Sequence, residues 1–312
     1  MVFRGVVSRR ALLVVPLQAA RIVQQGVYRS EANLVQVRFS AMRGRNFVTN
    51  LKAEDVVLAE DGRPQKIGLF EGPLSAWQEK QEVDFRISVD FSGSPEHFRP
   101  LTAELLSRTL IESIRRRAAV SLYAFAYDCR KLAGPTREQR ELAGGVSRLN
   151  TVDLRQEFRR ASRIYDSVIQ IAGEIDPAAT NSHPILVVFS DGINNGKKTA
   201  NEAIEAALRA GMTVYPILLA NPGGKDKRKY ELIEEYAKFG PATGGRSFWP
   251  PVFTAEHIQR ILEHIVIEVR AEYTVGYYRT PDEGKARART VSVKLKERKQ
   301  GRIQGGIRRV VM

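Results

Sequence analysis

Cysteine is nearly missing from this chain: Cys129 is the only one in 312 residues. One thiol allows no intrachain disulfide and no cysteine-based metal site. Histidine is scarce too, at four copies, and none stands in an H-E-x-x-H frame. His257 and His264 lie on one helical stretch beside Glu263, at the wrong spacing for a zinc protease, and read as packing or surface residues. No run approaches the roughly 20 apolar residues of a membrane span. No G-x-S-x-G elbow occurs, so no serine has that hydrolase setting, and no enzymatic activity is expected. Gly192-Ile193-Asn194-Asn195-Gly196-Lys197-Lys198-Thr199 sits where a phosphate loop would, but has three residues between its glycines instead of the required four. Acidic residues are outnumbered, 35 against 49 basic, for a net charge of +14. That surplus favours acidic partners. No basic run is interleaved with aromatics and no zinc-finger or RNP-like pattern appears, so no specific nucleic-acid binding is expected.

What is present is an ordinary globular composition, 43% hydrophobic and 27% charged. The length suits one large domain, or one domain plus a smaller one. Residues 1–30 carry Arg4, Arg9 and Arg10, then Ala11 to Leu17, then Gln18-Ala19-Ala20. A charged start, an apolar middle, short and interrupted by Pro16, and a small-residue exit resemble a secretory signal, which would put the protein outside the cytoplasm or in the cell envelope. The alternative is a flexible tail on a cytoplasmic protein.

Residues 31–75 read as a β unit: an alternating strand from Asn33 to Phe39, a turn at Arg43 to Asn46, a strand from Glu54 to Glu60, the hairpin dipeptide Asp61-Gly62 and a partner strand from Gln65 to Phe70. Residues 71–80 read as a linker. From 81 to 272, strands alternate with helices. Strands are expected at Phe85–Val89, Ala119–Ala126, His183–Ser190, Met212–Leu219 and Arg246–Trp249. Helices are expected at Leu101–Arg117, Leu154–Ile175, Thr199–Ala210, Tyr230–Phe239 and Thr254–Arg270, with Asp128 to Asn150 as loop. Such alternation implies an α/β doubly wound, mostly parallel sheet with helices on both faces. Residues 273–312 return to strands, basic ones, which are expected to pair with the N-terminal β unit into a small β-sandwich-like domain. Their charges read as outward positions that protect a strand edge; polyanion or nucleic-acid binding through this segment is the alternative.

Two stretches point to chemistry. Ile87-Ser88-Val89-Asp90-Phe91-Ser92-Gly93-Ser94 is a buried strand ending on an Asp with two hydroxyls behind it. Ile185 to Ser190 is another, ending on Asp191-Gly192. In an open α/β sheet both carboxylates would face the crevice at the strand carboxyl ends. Oxygen-only donors suit a hard cation such as Mg²⁺. The plain alternative is a turn in which Ser94 caps the next helix.

These residues resemble the von Willebrand factor type A (vWA) domain. In that family a metal-ion-dependent adhesion site (MIDAS) combines D-x-S-x-S, a Thr on a second loop and an Asp on a third. Here Asp90, Ser92 and Ser94 match the first element and Asp191 the third. Ser162, in Ala161-Ser162-Arg163-Ile164-Tyr165-Asp166, stands where the Thr would be, without the glycines that precede it in bacterial members. Leu51 to Asp55, Glu60 to Ile67, Ala242 to Phe248 and Tyr273 to Tyr278 are similar to flanking motifs of a bacterial, acidobacterial-type group of such proteins. The resemblance implies a Rossmann-like vWA fold. It also implies a metal site of Asp90, Ser92, Ser94, Ser162 and Asp191 holding Mg²⁺ (or Mn²⁺ or Ca²⁺), and a protein partner whose Asp or Glu carboxylate completes the coordination. A structural vWA domain with a degenerate, metal-free site is the alternative.

Overall fold

The computed structural model describes residues 34–73, 75, 82–92, 118–149, 161–176, 182–219, 227–250, 254–279 and 288–311. In chain order the elements are β1 (Leu34–Arg43), β2 (Asn46–Phe47), β3 (Val56–Glu60), β4 (Arg63–Pro64), β5 (Leu69–Glu71), β6 (Glu82–Asp90), β7 (Ala118–Phe125) and β8 (Cys129–Thr136). They continue with α1 (Gln139–Leu149), α2 (Ile164–Gly173), β9 (Ser182–Ser190), α3 (Ala200–Arg209), β10 (Thr213–Leu218), α4 (Lys227–Ala237) and α5 (Phe239–Thr243). The last are α6 (Ala255–Arg270), β11 (Tyr273–Tyr278), β12 (Ala288–Leu295), β13 (Arg302–Gly305) and β14 (Ile307–Val311). The architecture is mixed α/β with several sheets, one of them mainly parallel.

That sheet runs β10-β9-β6-β7-β8. β10, β9, β6 and β7 are parallel, and β8 closes one edge antiparallel to β7. β6 is central and carries two kinds of residue on its two faces. Phe85, Ile87 and Val89 join an apolar cluster with Leu142, Val146 and Leu149 of α1 and Ile258, Leu262 and Ile265 of α6. On neighbouring strands the opposite face is apolar as well: Tyr123, Phe125, Leu186 and Val188 pack against α2, α3, α4 and α5. On β6 the alternate positions are Asp84, Arg86, Ser88 and Asp90. Arg86 is held there by Asp84 at 2.7 Å and by the Ile171 carbonyl of α2 at 3.0 Å. The period of two therefore leads a polar stripe up the middle of a buried sheet and ends it on Asp90.

The remaining strands form two antiparallel sheets, β13-β1-β11-β5 with β2 on β1, and β14-β12-β3-β4. Strands from before β6 thus pair with strands from after α6: β1 lies between β11 and β13, and β3 beside β12. Val35, Val37, Phe39, Tyr273, Val275 and Tyr277 from one sheet share an apolar cluster with Val56, Leu58, Val291 and Val293 from the other. A polar contact crosses between them, from the Tyr277 hydroxyl to Glu60 Oε2 at 2.8 Å, while Arg289 lies 3.1 Å from Glu60 Oε1. Tyr277→Phe removes a buried hydrogen bond to a charged group. A loss of about 1.5–3 kcal/mol is expected, measured as a lower urea midpoint at unchanged m-value; an unchanged midpoint would show that the contact contributes nothing.

Several expectations need correction. Asp128 to Asn150 is not loop: it holds β8 and α1. In α1, Leu142, Gly145, Val146 and Leu149 are the buried positions, and Gly144-Gly145 masks the helical period. Gly145 is required because a Cβ there would lie 2.8 Å from that of Ala133. The hairpin after Asp61-Gly62 pairs only Arg63-Pro64, and Leu69–Glu71 goes instead to β11 in the other sheet. Residues 161–163 are not helical; α2 begins at Ile164. Arg246 to Trp249 contributes a single bridge, Phe248 to Ile217, rather than a strand. The expected helix Leu101–Arg117 and the signal-like segment lie outside the described residues. Among the described residues no helix is long and apolar enough to cross a membrane.

The joint between the layers is polar. Ser40 of β1 donates to Glu268 Oε1 of α6 at 3.3 Å, and His183 Nδ1 at the start of β9 lies 3.3 Å from Glu272 Oε2. Burial pushes the Glu272 carboxyl up to about 8, with Arg38 opposing the rise and Glu268 adding to it.

Candidate functional site

Asp90 ends β6, and β6 lies between β7, reached next in the described sequence, and β9, reached later on the other side. The chain therefore reverses direction across the sheet between β6 and β9, where ligands of open α/β sheets bind. Asp90 and Asp191 flank that point, one at the end of β6 and one directly after β9.

Asp90 is fully buried, and its carboxylate is a hub for three segments. Oδ1 accepts the Ser92 backbone N–H at 2.8 Å, which folds the chain into a tight turn after the strand. Oδ2 accepts the Ser162 hydroxyl at 2.9 Å and the Ser190 hydroxyl at 2.6 Å. The bond from Ser190 brings β9 against Asp90, and Asp191 is the next residue. Asp191 makes its own turn, with Oδ1 accepting the Ile193 N–H at 3.0 Å. Gly192 between them has φ +82°, and a Cβ there would press on Tyr236 and Ile233. Its glycine is thus a requirement of the turn.

Ser162 is fixed from its other side. Its backbone carbonyl accepts from the Asn195 N–H at 2.6 Å, and its N–H donates to Asn195 Oδ1 at 3.2 Å. Asn194 Oδ1 receives the Tyr165 N–H at 3.5 Å. The loop after Asp191 therefore clamps the Ser162 segment against Asp90. Asp166, in the first turn of α2, has a buried Oδ2 with no hydrogen-bond partner among the described residues, and a Cβ on Gly196 would lie 2.3 Å from it.

Electrostatics favour a positive occupant. Burial pushes the Asp90 carboxyl up to about 6; the Ser190 and Ser92 hydrogen bonds oppose this, and the neighbouring Asp191 carboxylate reinforces it. A buried carboxyl beside a second carboxylate is a setting in which a proton or a cation is taken up. The donors here are two carboxylates and serine hydroxyls, all oxygen, which fits a hard divalent ion. Among the described residues no group of three or more His, Cys, Asp or Glu side chains could hold a metal ion, so hydroxyls have to complete any such shell.

Of the residues expected from sequence, the structure brings Asp90, Ser92 and Ser162 together, with Asp191 close enough to act on Asp90 electrostatically. Ser94 lies outside the described residues. Ser190, Asn194 and Asn195 were not foreseen. Ser190 had a signal, since it alternates inward on the strand just before Asp191; the two asparagines had none. In the C-terminal segment Lys294, Lys296, Arg298, Lys299 and Arg302 are exposed, whereas Arg289 is engaged by Glu60.

No protein-family model matches the sequence, and no curated protein matches it. Among the solved structures that resemble it are three at 16% identity. An aerotolerance-related membrane protein from Bacteroides fragilis NCTC 9343 has a TM-score of 0.46, over 59% of this chain and 98% of that one. The conserved hypothetical protein BatB from Bacteroides thetaiotaomicron has a TM-score of 0.45, over 60% of this chain and 98% of that one. Proximal thread matrix protein 1 from the mussel byssus has a TM-score of 0.44, over 62% of this chain and 47% of that one.

Proposed function

We propose that this chain is a non-enzymatic protein-binding module of the von Willebrand A type. In this reading a divalent cation, Mg²⁺ by its donor chemistry, is held by Asp90, Ser92, Ser94, Ser162 and Asp191, and a carboxylate of a partner protein fills the open position. The doubly wound sheet would present the site, and the strands from both ends of the chain would form a β-sandwich-like companion domain. The observation that carries the reading is the convergence of Ser162 and Ser190, from two separate segments, on one buried carboxylate oxygen of Asp90.

When bound, the cation supplies a Lewis-acidic point of attachment for an anionic oxygen. The protein's own residues orient it. The turns at Ser92 and Ile193 aim the two carboxylates, Asn195 fixes the Ser162 backbone, and the buried setting keeps bulk water from competing. The excess of Lys and Arg steers an acidic partner inward.

Pull-down of partners with Mg²⁺ and again with chelator tests the reading. Capture that chelator abolishes supports it, and capture indifferent to chelator sinks it. Ser162→Ala is expected to raise the Mg²⁺ Kd about tenfold, or about 1.4 kcal/mol, while Ser162→Thr binds as the wild type does. Equal Mg²⁺ affinity in Ser162→Ala would place that hydroxyl outside the shell. The metal-free alternative draws on the same hydrogen bonds, because both serine hydroxyls already satisfy Asp90. It predicts no change in melting temperature on adding Mg²⁺.

A further inference from the structure

Arg163 follows Ser162 directly, and its side chain is unlike its neighbours. Its guanidinium carbon sits 3.4 Å from the centre of the Tyr127 ring. Tyr127 lies two residues past Phe125, the register partner of Asp90 on β7. The Arg163 backbone is tied down as well: its N–H donates to the Ala126 carbonyl at 2.8 Å, and its own carbonyl accepts from Ser167 at 3.0 Å. On the far side, a Cβ added to Gly196 would lie 3.4 Å from Arg163 Cγ, so the aliphatic stem runs close beneath the loop that clamps Ser162. The residue is partly exposed, and among the described residues its guanidinium makes no hydrogen bond or ion pair.

This is a preorganised arginine. Stacking on Tyr127 takes up one face of the guanidinium, and its five N–H donors lie in the plane at the edge, where they match a carboxylate bidentately. Holding the side chain in advance lowers the ordering cost that an exposed Arg would meet on binding. Arg163 follows Ser162, whose hydroxyl is bonded to Asp90, and its Cγ lies against the loop that clamps Ser162. A partner carboxylate bound above Asp90 would therefore have a second anion-binding point beside it.

We propose that Arg163 is a second recognition point that takes the carboxylate neighbouring the one bound at the cation. The partner is then a segment of another protein carrying two or more adjacent Asp or Glu residues, rather than a single exposed acid. The net charge of +14 suits such a segment. This inference rests on the metal-assisted reading above.

The test is fluorescence anisotropy in Mg²⁺ at physiological salt with two labelled peptides, hexaglutamate and a Ser-Gly peptide containing one Glu. Arg163→Gln is expected to weaken hexaglutamate binding about tenfold, the value of one charged hydrogen-bonded contact, and to leave the single-Glu peptide nearly unchanged. Arg298→Gln, which removes an exposed charge from the C-terminal segment, is expected to bind hexaglutamate as the wild type does. The proposal is overturned if wild-type protein does not bind hexaglutamate, if Arg163→Gln weakens both peptides equally, or if Arg298→Gln weakens hexaglutamate as much as Arg163→Gln. The Mg²⁺-induced rise in melting temperature, read on the same proteins, separates the two claims. If Arg163→Gln loses that rise, Arg163 serves the metal loop and the proposal fails. If hexaglutamate binding depends on Arg163 but persists in chelator, the arginine site stands and the metal reading fails.

Discussion

Asp90→Asn is expected to erase the rise in melting temperature that Mg²⁺ gives the wild-type chain, while raising the melting temperature of the cation-free protein. The two effects have opposite signs and a common cause. In the folded chain burial lifts the Asp90 carboxyl from 3.8 to about 6. Below 3.8 both folded and unfolded chains hold the proton; between 3.8 and about 6 only the folded chain does, so stability falls as pH rises through that window and stays lowered above it. At pH 7 the buried ionised carboxylate therefore costs about 3 kcal/mol relative to the unfolded chain. Asparagine removes the charge, keeps one oxygen to accept the Ser92 N–H, and turns an NH₂ donor toward the Ser162 and Ser190 hydroxyls, which can rotate to accept. Mg²⁺ offsets the cost in the wild type by a different route, binding the charge. At a hundredfold excess over its Kd it stabilises by about 2.7 kcal/mol, roughly 5–10 °C for a chain of this size. In Asp90→Asn that gain is expected to be near zero. A variant that responds to Mg²⁺ as the wild type does would show that the ion binds elsewhere.

The second large effect concerns pH and the joint between the layers. Glu272 titrates at about 8 in the folded chain against an ordinary 4.5, first because it is buried and then because Glu268 faces it, with Arg38 pulling the other way. The imidazole Nδ1 of His183, at the start of β9, lies 3.3 Å from Glu272 Oε2. Between 4.5 and about 8 the folded protein holds a proton that the unfolded chain has released. Stability therefore declines with rising pH across that window, by about 1.4 kcal/mol per unit where one proton separates the states. Asp90 contributes the same sign only up to about 6, and His264, held low by burial and by Arg246, contributes the opposite sign below its ordinary 6.5. Of these three groups, only Glu272 still changes stability between pH 7 and 8. Urea unfolding of Glu272→Gln is expected to give a flat profile there and greater stability than wild type at pH 8. A decline as steep as that of the wild type would mean the carboxyl is ionised in the folded protein.

Much of this was legible in the sequence, for identifiable reasons. β6 shows alternating apolar residues up to Asp90, and β9 an apolar run up to Ser190 with Asp191 directly after it. α6 was expected over Thr254–Arg270, and the structure starts it at Ala255, with the Thr254 hydroxyl accepting the His257 N–H at 3.3 Å as a cap. β8 was hidden because it is an edge strand with Gly134-Pro135 inside it, a pair that reads as a turn. α1 was hidden by Gly144-Gly145, which is tolerated because Gly145 packs closely on β8. The site was readable in part: Asp90, Ser92 and Asp191 follow from strand ends and turn chemistry. The support around Ser162 was not, since Asn195 reaches it across 33 residues of sequence, and no local pattern encodes a loop crossing of that length.

Calorimetric titration of the wild-type chain with MgCl₂ at pH 7.5, repeated on Asp90→Asn, tests the metal claim at its source. One saturable site in the wild type and none in the variant is the expected result. No saturable heat in either protein, together with an unchanged melting temperature, would leave Asp90 as a buried structural hub and contradict the binding of a cation there.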